Sequence, residues 1–171
     1  MVEESNLKYW RDAGHVARRT LEAMKDELQP GKTFHEIIES AERFIHRHGG
    51  KPAFPGTIAV NDLAAHFTTN HQIEGVEGWD GDMVLQKGDC VKIDFGVHIK
   101  GHIGDNALTL EIGNSNEHTE QIKAAKEARD AAIEMLHPGT PWYKVGQAAA
   151  QPSLDAGLSL IHISEPTRRP I

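Results

Sequence analysis

The stretch that decides the fold is Val91-Lys92-Ile93-Asp94-Phe95-Gly96-Val97-His98, in which apolar and polar side chains alternate. A period of two is typical of a β-strand with one buried face. Residues 103–112 form a second run of strand composition, and Lys100-Gly101 between the two runs suits a two-residue turn. The sequence therefore predicts an antiparallel β-hairpin near the middle of the chain.

Helical periodicity precedes this hairpin. Apolar residues recur every three or four positions over residues 7–28, and Pro30-Gly31 ends the pattern. A second helix is predicted to begin after Thr33, where Glu36 can complete a capping box, and to end at Gly49-Gly50.

The remaining pattern completes an α+β fold. A short strand is predicted at residues 57–60, and a surface loop at the Gly-rich, acidic residues 70–81. A third helix is predicted to follow the N-cap cluster at residues 113–116 and to stop at residues 137–139. A fourth begins at Thr140-Pro141, read as a cap and a first-turn proline. Two helices, then several antiparallel strands, then two more helices along the sequence are an order typical of the α+β class.

The end of the chain follows neither a helical nor a strand pattern. Residues 158–168 resemble the in-frame translation of a common transposase sequencing adapter, and sequence of this origin is excluded from fold reasoning. We therefore expect residues 1–157 to be native and residues 158–171 to be a non-native tail, with the natural gene continuing.

Composition limits the class of protein. The chain has 171 residues, of which 39% are hydrophobic and 25% charged, as expected for one globular domain or part of a larger one. No apolar run is long enough to span a membrane, and residues 2–19 contain no apolar core of a secretory signal. A single cysteine, Cys90, agrees with a reducing compartment, so a cytoplasmic protein is expected.

Net charge bears on the partners. Eighteen basic against 25 acidic residues give a formal charge of −7. This balance disfavours a general nucleic-acid binder, because phosphate contacts need a basic face.

Two aspartates in the hairpin are candidate metal ligands. With a two-residue turn, Asp105 lies opposite Gly96 and Asp94 lies opposite Ala107, so that both aspartates share one face, about 7–8 Å apart at the backbone. Two carboxylates this close repel each other, and one or two hard cations would relieve the repulsion. The alternative is that both aspartates belong to a solvated strand face.

Other motifs are weaker. His66 follows Ala64-Ala65, and a histidine in that position is by itself more often structural than catalytic. The sequence lacks the HExxH, phosphate-loop and GxSxG patterns, so zincin, nucleotide-binding and serine-hydrolase activities have no support.

Four segments carry a resemblance to a known family. They read GGKPAFP (residues 49–55), VNDLAAHFT (60–68), KIDFGVH (92–98) and GDNALT (104–109). Together they closely resemble type II methionine aminopeptidase, especially its archaeal form, over about residues 7–157. The AAHFT element distinguishes type II from type I. The aspartate spacing is shared with aminopeptidase P and prolidase.

The resemblance implies both a fold and a site. The fold would be the first half of a pita-bread architecture, an antiparallel sheet with helices on one face. Asp94 would be the bidentate ligand and Asp105 the bridging ligand of two divalent metal ions, which could be Co, Mn, Fe or Zn. His66 would contact the substrate near the scissile bond and act in catalysis, and Phe54 would form a wall of the methionine pocket.

The resemblance also implies an activity. The full-length enzyme would be a cytoplasmic monomer that binds the N-terminal methionine of peptides and nascent chains and removes it, with no membrane partner. Ile58, Thr69 and the long loop 70–81 depart from the family pattern without touching the proposed chemistry. The remaining ligands, a histidine and two glutamates, would lie beyond Gly157, so this chain alone is expected to be inactive.

Two other functions stay open. One is a non-catalytic pita-bread protein, of the proliferation-associated or histone-chaperone kind, that uses the scaffold to bind partners. The retained Asp94, Asp105 and His66 favour the enzyme over this alternative. The other is an enzyme acting on Xaa-Pro peptides, against which residues 64–68 favour the methionine enzyme.

Overall fold

The computed structural model describes residues 4–63, 67–69, 83–113 and 115–158. The chain divides into two compact units, residues 1–115 and residues 116–171. In the first unit, the described residues form two helices and four strands, which are α1 (Glu4–Glu27), α2 (Phe34–Arg47), β1 (Lys51–Pro52), β2 (Thr57–Val60), β3 (Cys90–Ile99) and β4 (His102–Glu111). The second contains α3 (Thr119–Met135) and α4 (Trp142–Asp155).

Strand β3 is the centre of an antiparallel sheet. It pairs along its whole length with β4, while β1 and β2 pair in succession with its other edge. Lys100 and Gly101 join β3 to β4 with φ angles of 50° and 81°. Positive φ at both central residues is typical of the type I′ turn, whose twist matches that of the flanking strands. The predicted hairpin and its two-residue turn are confirmed.

One face of this sheet forms the core of the first unit. Val91, Ile93, Phe95 and Val97 alternate along β3 and are all buried among apolar residues of α1 and α2. Gly104 of β4 lies so close to α1 that a Cβ on it would come within 2.3 Å of the Gly14 amide nitrogen. The helices therefore cover the face of β3 that carries its odd-numbered residues.

The predicted helix boundaries hold at α2. Thr33 is its N-cap: the Thr33 hydroxyl accepts a hydrogen bond from the Glu36 amide at 3.2 Å, and the Glu36 carboxylate accepts one from the Thr33 amide at 2.9 Å. This reciprocal pair is the predicted capping box. The strand at residues 57–60 is also present with the predicted bounds.

Other boundaries differ from the sequence prediction. Strand β1 was not predicted, because its two residues are defined by pairing with Val97 and His98 rather than by their own pattern. Helix α3 has His118 as its N-cap instead of the cluster at residues 113–116. Pro141 is the N-cap of α4, so Thr140 does not cap it. The predicted loop 70–81 lies outside the described residues.

In the second unit, the described residues form the packed helices α3 and α4. Within these helices, Ala124 of α3 and Val145 and Ser153 of α4 are buried. Gly157, with a φ of 70°, and Leu158 end α4, where the Leu158 amide donates to the Ser153 carbonyl at 2.9 Å. Within the described ranges, no helix is long and apolar enough to cross a membrane.

Candidate functional site

Asp94 and Asp105 lie on the same face of the hairpin. In the β3–β4 register, Asp94 is opposite Ala107 and Asp105 is opposite Gly96, one same-face step along the ladder. This is the predicted register, and it makes the two aspartates diagonal neighbours. Because the odd-numbered residues of β3 face the helices, both aspartates lie on the face turned away from α1 and α2.

The face that carries the aspartates is partly covered. Thr57 of β2 lies opposite Asp94, Ala59 lies opposite Lys92, and both are buried. One carboxylate oxygen of Asp94 is buried as well, whereas the Asp105 side chain is exposed. Asp94 therefore lies in the central strand of the sheet with one carboxylate oxygen buried, whereas the side chain of Asp105, on the neighbouring strand β4, is exposed.

Phe54 packs onto this face at Gly96. A Cβ on Gly96 would lie 2.2 Å from Phe54 Cε1, and the Gly96 carbonyl accepts a hydrogen bond from the Ala53 amide at 2.9 Å. Gly96 is opposite Asp105 and two residues from Asp94. The residue predicted to form a wall of the methionine pocket is therefore next to the predicted metal ligands.

Phe54 also borders a groove of 520 Å³. The groove lies between α2 and the segments around β1 and β2, and it combines apolar residues with two carboxylates. Its lining is His35, Ile38, Glu39, Glu42, Pro52, Phe54, Pro55, Gly56, Thr68 and Thr69. Among the described residues, neither aspartate lines this groove. Phe54 is thus the residue that the groove and the aspartate face have in common.

His66, the predicted catalytic histidine, lies outside the described residues. The residues that follow it are anchored to β2: the Phe67 carbonyl accepts from the Ile58 amide at 2.9 Å, and the Thr68 hydroxyl donates to the Gly56 carbonyl at 2.7 Å. The described chain after His66 therefore runs beside the strand that pairs with Asp94.

The sequence reasoning did not single out His98 as a site residue. It has the parity of Asp94 and Gly96 and so shares their face, opposite Ile103 of β4. Its Nδ1 atom is buried and, in the described part of the chain, has no hydrogen-bond partner. The period-two pattern of β3, which places Asp94 and Gly96 on one face, also predicts that His98 lies on that face.

The donor set fits a hard divalent cation. Two carboxylates on one sheet face supply the oxygen ligands that such ions prefer. Across the residues that the structure describes, no group of three or more His, Cys, Asp or Glu side chains could hold a metal ion. The described residues thus bring together two candidate carboxylate ligands on one sheet face.

Comparison with known proteins identifies the family. The sequence matches metallopeptidase family M24 over residues 8–164. The chain belongs to metallopeptidase family M24. Asp94, Asp105, Phe54 and His66 all lie within this M24 region.

Individual relatives agree with this assignment. The M24 chain is 37% identical over 137 residues to a methionine aminopeptidase of Thermococcus onnurineus, a match that covers 80% of the chain and 43% of the relative. It is 38% identical over 138 residues to a methionine aminopeptidase of Pyrococcus horikoshii, again covering 43% of the relative. The chain therefore spans less than half the length of these relatives.

A solved structure shows the same fold. Methionine aminopeptidase from Rickettsia prowazekii superposes with a TM-score of 0.78 at 24% identity, covering 91% of this chain and 62% of that protein. The M24 chain therefore has the predicted first half of a pita-bread fold, in which helices α1 and α2 cover one face of the antiparallel sheet.

Proposed function

We propose that this M24 chain is the part of a methionine aminopeptidase that carries the first two metal-binding carboxylates. The complete protein would remove the N-terminal methionine from peptides and nascent chains, as a monomer in the cytoplasm. The observation that carries the proposal is the placement of Asp94 and Asp105 on one sheet face, with Phe54 packed beside them at Gly96.

Each site residue has a proposed role. Asp94 and Asp105 would hold two divalent ions, of Mn, Co, Fe or Zn, because their oxygens suit such cations. When bound, the ions supply an activated water and polarise the scissile carbonyl. His66 would hold or transfer a proton near that carbonyl. Phe54 would contact the methionine side chain and exclude water from it.

The methionine substrate is favoured over a Xaa-Pro substrate. The relatives that are 37% and 38% identical are both named methionine aminopeptidase. A prolidase from Pyrococcus furiosus also superposes well, with a TM-score of 0.75, but at 24% identity this likeness reflects the fold alone. Residues 64–68, which match the type II pattern, support the same choice.

We also propose that the chain by itself does not hydrolyse methionyl peptides. Asp94 and Asp105 are two carboxylates, and the resemblance places three further ligands beyond Gly157. An ion held by two carboxylates keeps most of its waters and does not fix a peptide carbonyl.

A chimera tests the function directly. Residues 1–157 would replace the matching N-terminal segment of the Thermococcus onnurineus enzyme, and methionine release from Met-Ala-Ser would be measured with Mn²⁺ or Co²⁺. We expect turnover in the chimera and none in the separate chain. We also expect turnover to be lost in Asp94→Asn and in Asp105→Asn.

Two controls make the result interpretable. Asp26→Asn, an exposed residue of α1, removes the same charge away from the site and should leave turnover unchanged. Ala-Pro-Ser tests the Xaa-Pro alternative. A folded chimera that cleaves Ala-Pro-Ser in preference to Met-Ala-Ser, or cleaves neither, would overturn the proposal.

A further inference from the structure

Positive charge is concentrated in one part of the first unit. Residues 8–19, 43–51 and 100–102 hold eight of the 18 Lys and Arg residues but one of the 25 acidic residues, Asp12. They also hold four of the 11 histidines. We call these three segments together the basic surface.

Contacts join the segments into one surface. Arg19 Nη2 lies 3.1 Å from His48 Nε2, which connects α1 to the end of α2. Lys100 Nζ donates to the Tyr9 hydroxyl at 2.9 Å, which connects the hairpin turn to the first turns of α1. The same α1 helix therefore links both groups of cations.

The cations of the basic surface are available for a partner. All eight are exposed, namely Lys8, Arg11, Arg18, Arg19, Arg43, Arg47, Lys51 and Lys100. Arg18 pairs with Glu22, and Arg43 pairs with Glu39 at 2.9 Å. For the other six, the described part of the chain has no carboxylate within ion-pair distance. Concentrated exposed charge of this kind attracts a polyanion.

Aromatic rings are interleaved with these cations. The His102 ring lies 5.4 Å from the Tyr9 ring and 4.9 Å, edge-on, from the Trp10 ring, measured between centroids. Trp10 is 38% exposed. Aromatic rings beside Arg and Lys are typical of surfaces that stack unpaired bases while binding phosphates.

We propose that the basic surface binds RNA. Its exposed cations would contact the phosphate backbone, and the rings of Tyr9, Trp10 and His102, which we call the Trp10 cluster, would lie against unpaired bases. A lipid surface is a poorer match, because an interfacial helix inserts a continuous apolar face, whereas the exposed large apolar side chains among the described residues of α1 are Leu7 and Trp10 alone. An acidic protein would pair with the cations, but it would leave the Trp10 cluster without a ligand to stack on.

The net charge of −7 does not contradict this proposal. It sums over the whole chain, whereas the three segments contain one acidic residue, Asp12, and are bordered by Glu22 and Glu39, the ion-pair partners of Arg18 and Arg43. A local cluster of cations suffices for phosphate contacts. Helices α1 and α2 lie on the other side of the sheet from Asp94 and Asp105, so RNA bound to these helices would leave the aspartate face open. The proposal does not depend on the aminopeptidase function.

Matched charge variants of the complete 171-residue chain test the proposal. The probe is a fluorescently labelled RNA hairpin with a single-stranded loop, and binding is followed by fluorescence anisotropy over a range of salt concentrations. One triple variant is Lys8→Gln, Arg11→Gln, Arg47→Gln on the basic surface. The control is Lys123→Gln, Lys126→Gln, Arg129→Gln on α3, which removes the same charge from positions that are also exposed.

The two triple variants should differ sharply. We expect the first variant to bind RNA at least about tenfold more weakly. The slope of the logarithm of the binding constant against the logarithm of the salt concentration should become shallower by about 2 to 3, because each lost phosphate contact reduces it by somewhat less than one. The α3 variant should stay within about twofold of the parent, since it removes no phosphate contact. Circular dichroism of both variants would confirm that they remain folded.

A third variant tests stacking. Trp10→Leu should weaken binding to the looped hairpin but not to a fully paired duplex of the same length. Three results would overturn the proposal. These are no binding of the parent chain at low salt, equal losses in the two triple variants, or binding to phosphatidylserine vesicles or polyglutamate that matches or exceeds binding to RNA.

Discussion

The ring of Phe54 lies directly against Gly96, where a Cβ would come within 2.2 Å of Phe54 Cε1 and 2.7 Å of two further ring atoms. The Gly96 φ angle is not in the left-handed region, so the glycine is required for space rather than for backbone conformation. Because Gly96 is opposite Asp105 in the ladder, this contact places the Phe54 ring beside the sheet face that carries the two aspartates.

Replacing Gly96 by alanine should therefore destabilise the first unit. The added methyl group has to displace the Phe54 ring, and overpacking of this kind costs about 1–3 kcal/mol. Urea denaturation followed by circular dichroism measures the change. Gly14→Ala is the matched control, since a Cβ there meets no atom within 4 Å. In a helix, that change should be neutral or stabilising.

A double-mutant cycle isolates the contact. In a Phe54→Ala background the methyl group added by Gly96→Ala has room, so most of the penalty of that substitution should disappear. An unchanged penalty in that background would show that Phe54 does not occupy this space.

The capping box should make stability depend on pH. The hydrogen bond from the Thr33 amide lowers the pKa of the Glu36 carboxyl below its ordinary value of 4.5. A carboxyl with a lowered pKa in the folded state stabilises the fold above its unfolded pKa, and this contribution is lost as the pH falls through the folded pKa. Glu36→Gln should thus be less stable than the parent at pH 7, and the difference should shrink below pH 4.5.

Glu42→Gln is the control for this effect. It removes the same charge from α2 away from the N-cap, so its stability difference should not follow the same pH course. A Glu36→Gln difference that grows on acidification would contradict the capping box.

Cys90 should react slowly with thiol reagents. Burial, and to a lesser extent the Glu111 carboxylate, raises the pKa of the Cys90 thiol above its ordinary value of 9.0. The thiolate is the reactive form, so the rate of reaction with Ellman's reagent should reach its midpoint above pH 9.0. The midpoint should fall in Glu111→Gln and rise in Lys92→Gln, because these side chains act on the thiol with opposite sign. The same direction of change in both variants would be inconsistent with this account.

Removal of residues 159–171 should leave stability unchanged. Leu158, the first residue of the predicted non-native tail, closes α4 through its amide, so the truncation is placed after it. Loss of a segment not selected to fold should change the free energy of unfolding by no more than about 0.5 kcal/mol. Thermal denaturation of the two forms provides the comparison, and a clear loss of stability would identify the tail as native protein.

The hairpin could be predicted because two local rules determine it. A period of two assigns Asp94 to a face, and a two-residue turn at Lys100-Gly101 then fixes every pair of the ladder. No information from the rest of the chain was needed. The capping box was likewise visible, since both of its residues lie within one helical turn.

Features made by distant residues could not be predicted in this way. Strand β1 exists through its partner β3, and Arg19 and His48 meet although 28 residues lie between them in the sequence. The predicted start of α3 is wrong for a local reason: Gly113 and Asn116 take positive φ angles of 73° and 62°, which are not helical, so the helix begins after them. The net charge likewise does not predict that Lys and Arg residues of α1 and α2 lie close together in the folded chain.

Without the further ligands of the complete protein, Asp94 and Asp105 of this chain are expected to bind one cation together. A Mn²⁺ titration monitored by electron paramagnetic resonance measures this binding. We expect weak binding, with a dissociation constant on the order of 0.1–1 mM for so few carboxylates. Asp94→Asn and Asp105→Asn should each weaken it strongly, and the double variant should be little worse than either, whereas Asp26→Asn should bind like the parent. Equal Mn²⁺ affinity in the parent and in the Asp94→Asn, Asp105→Asn double variant would show that these two aspartates are not the ligands.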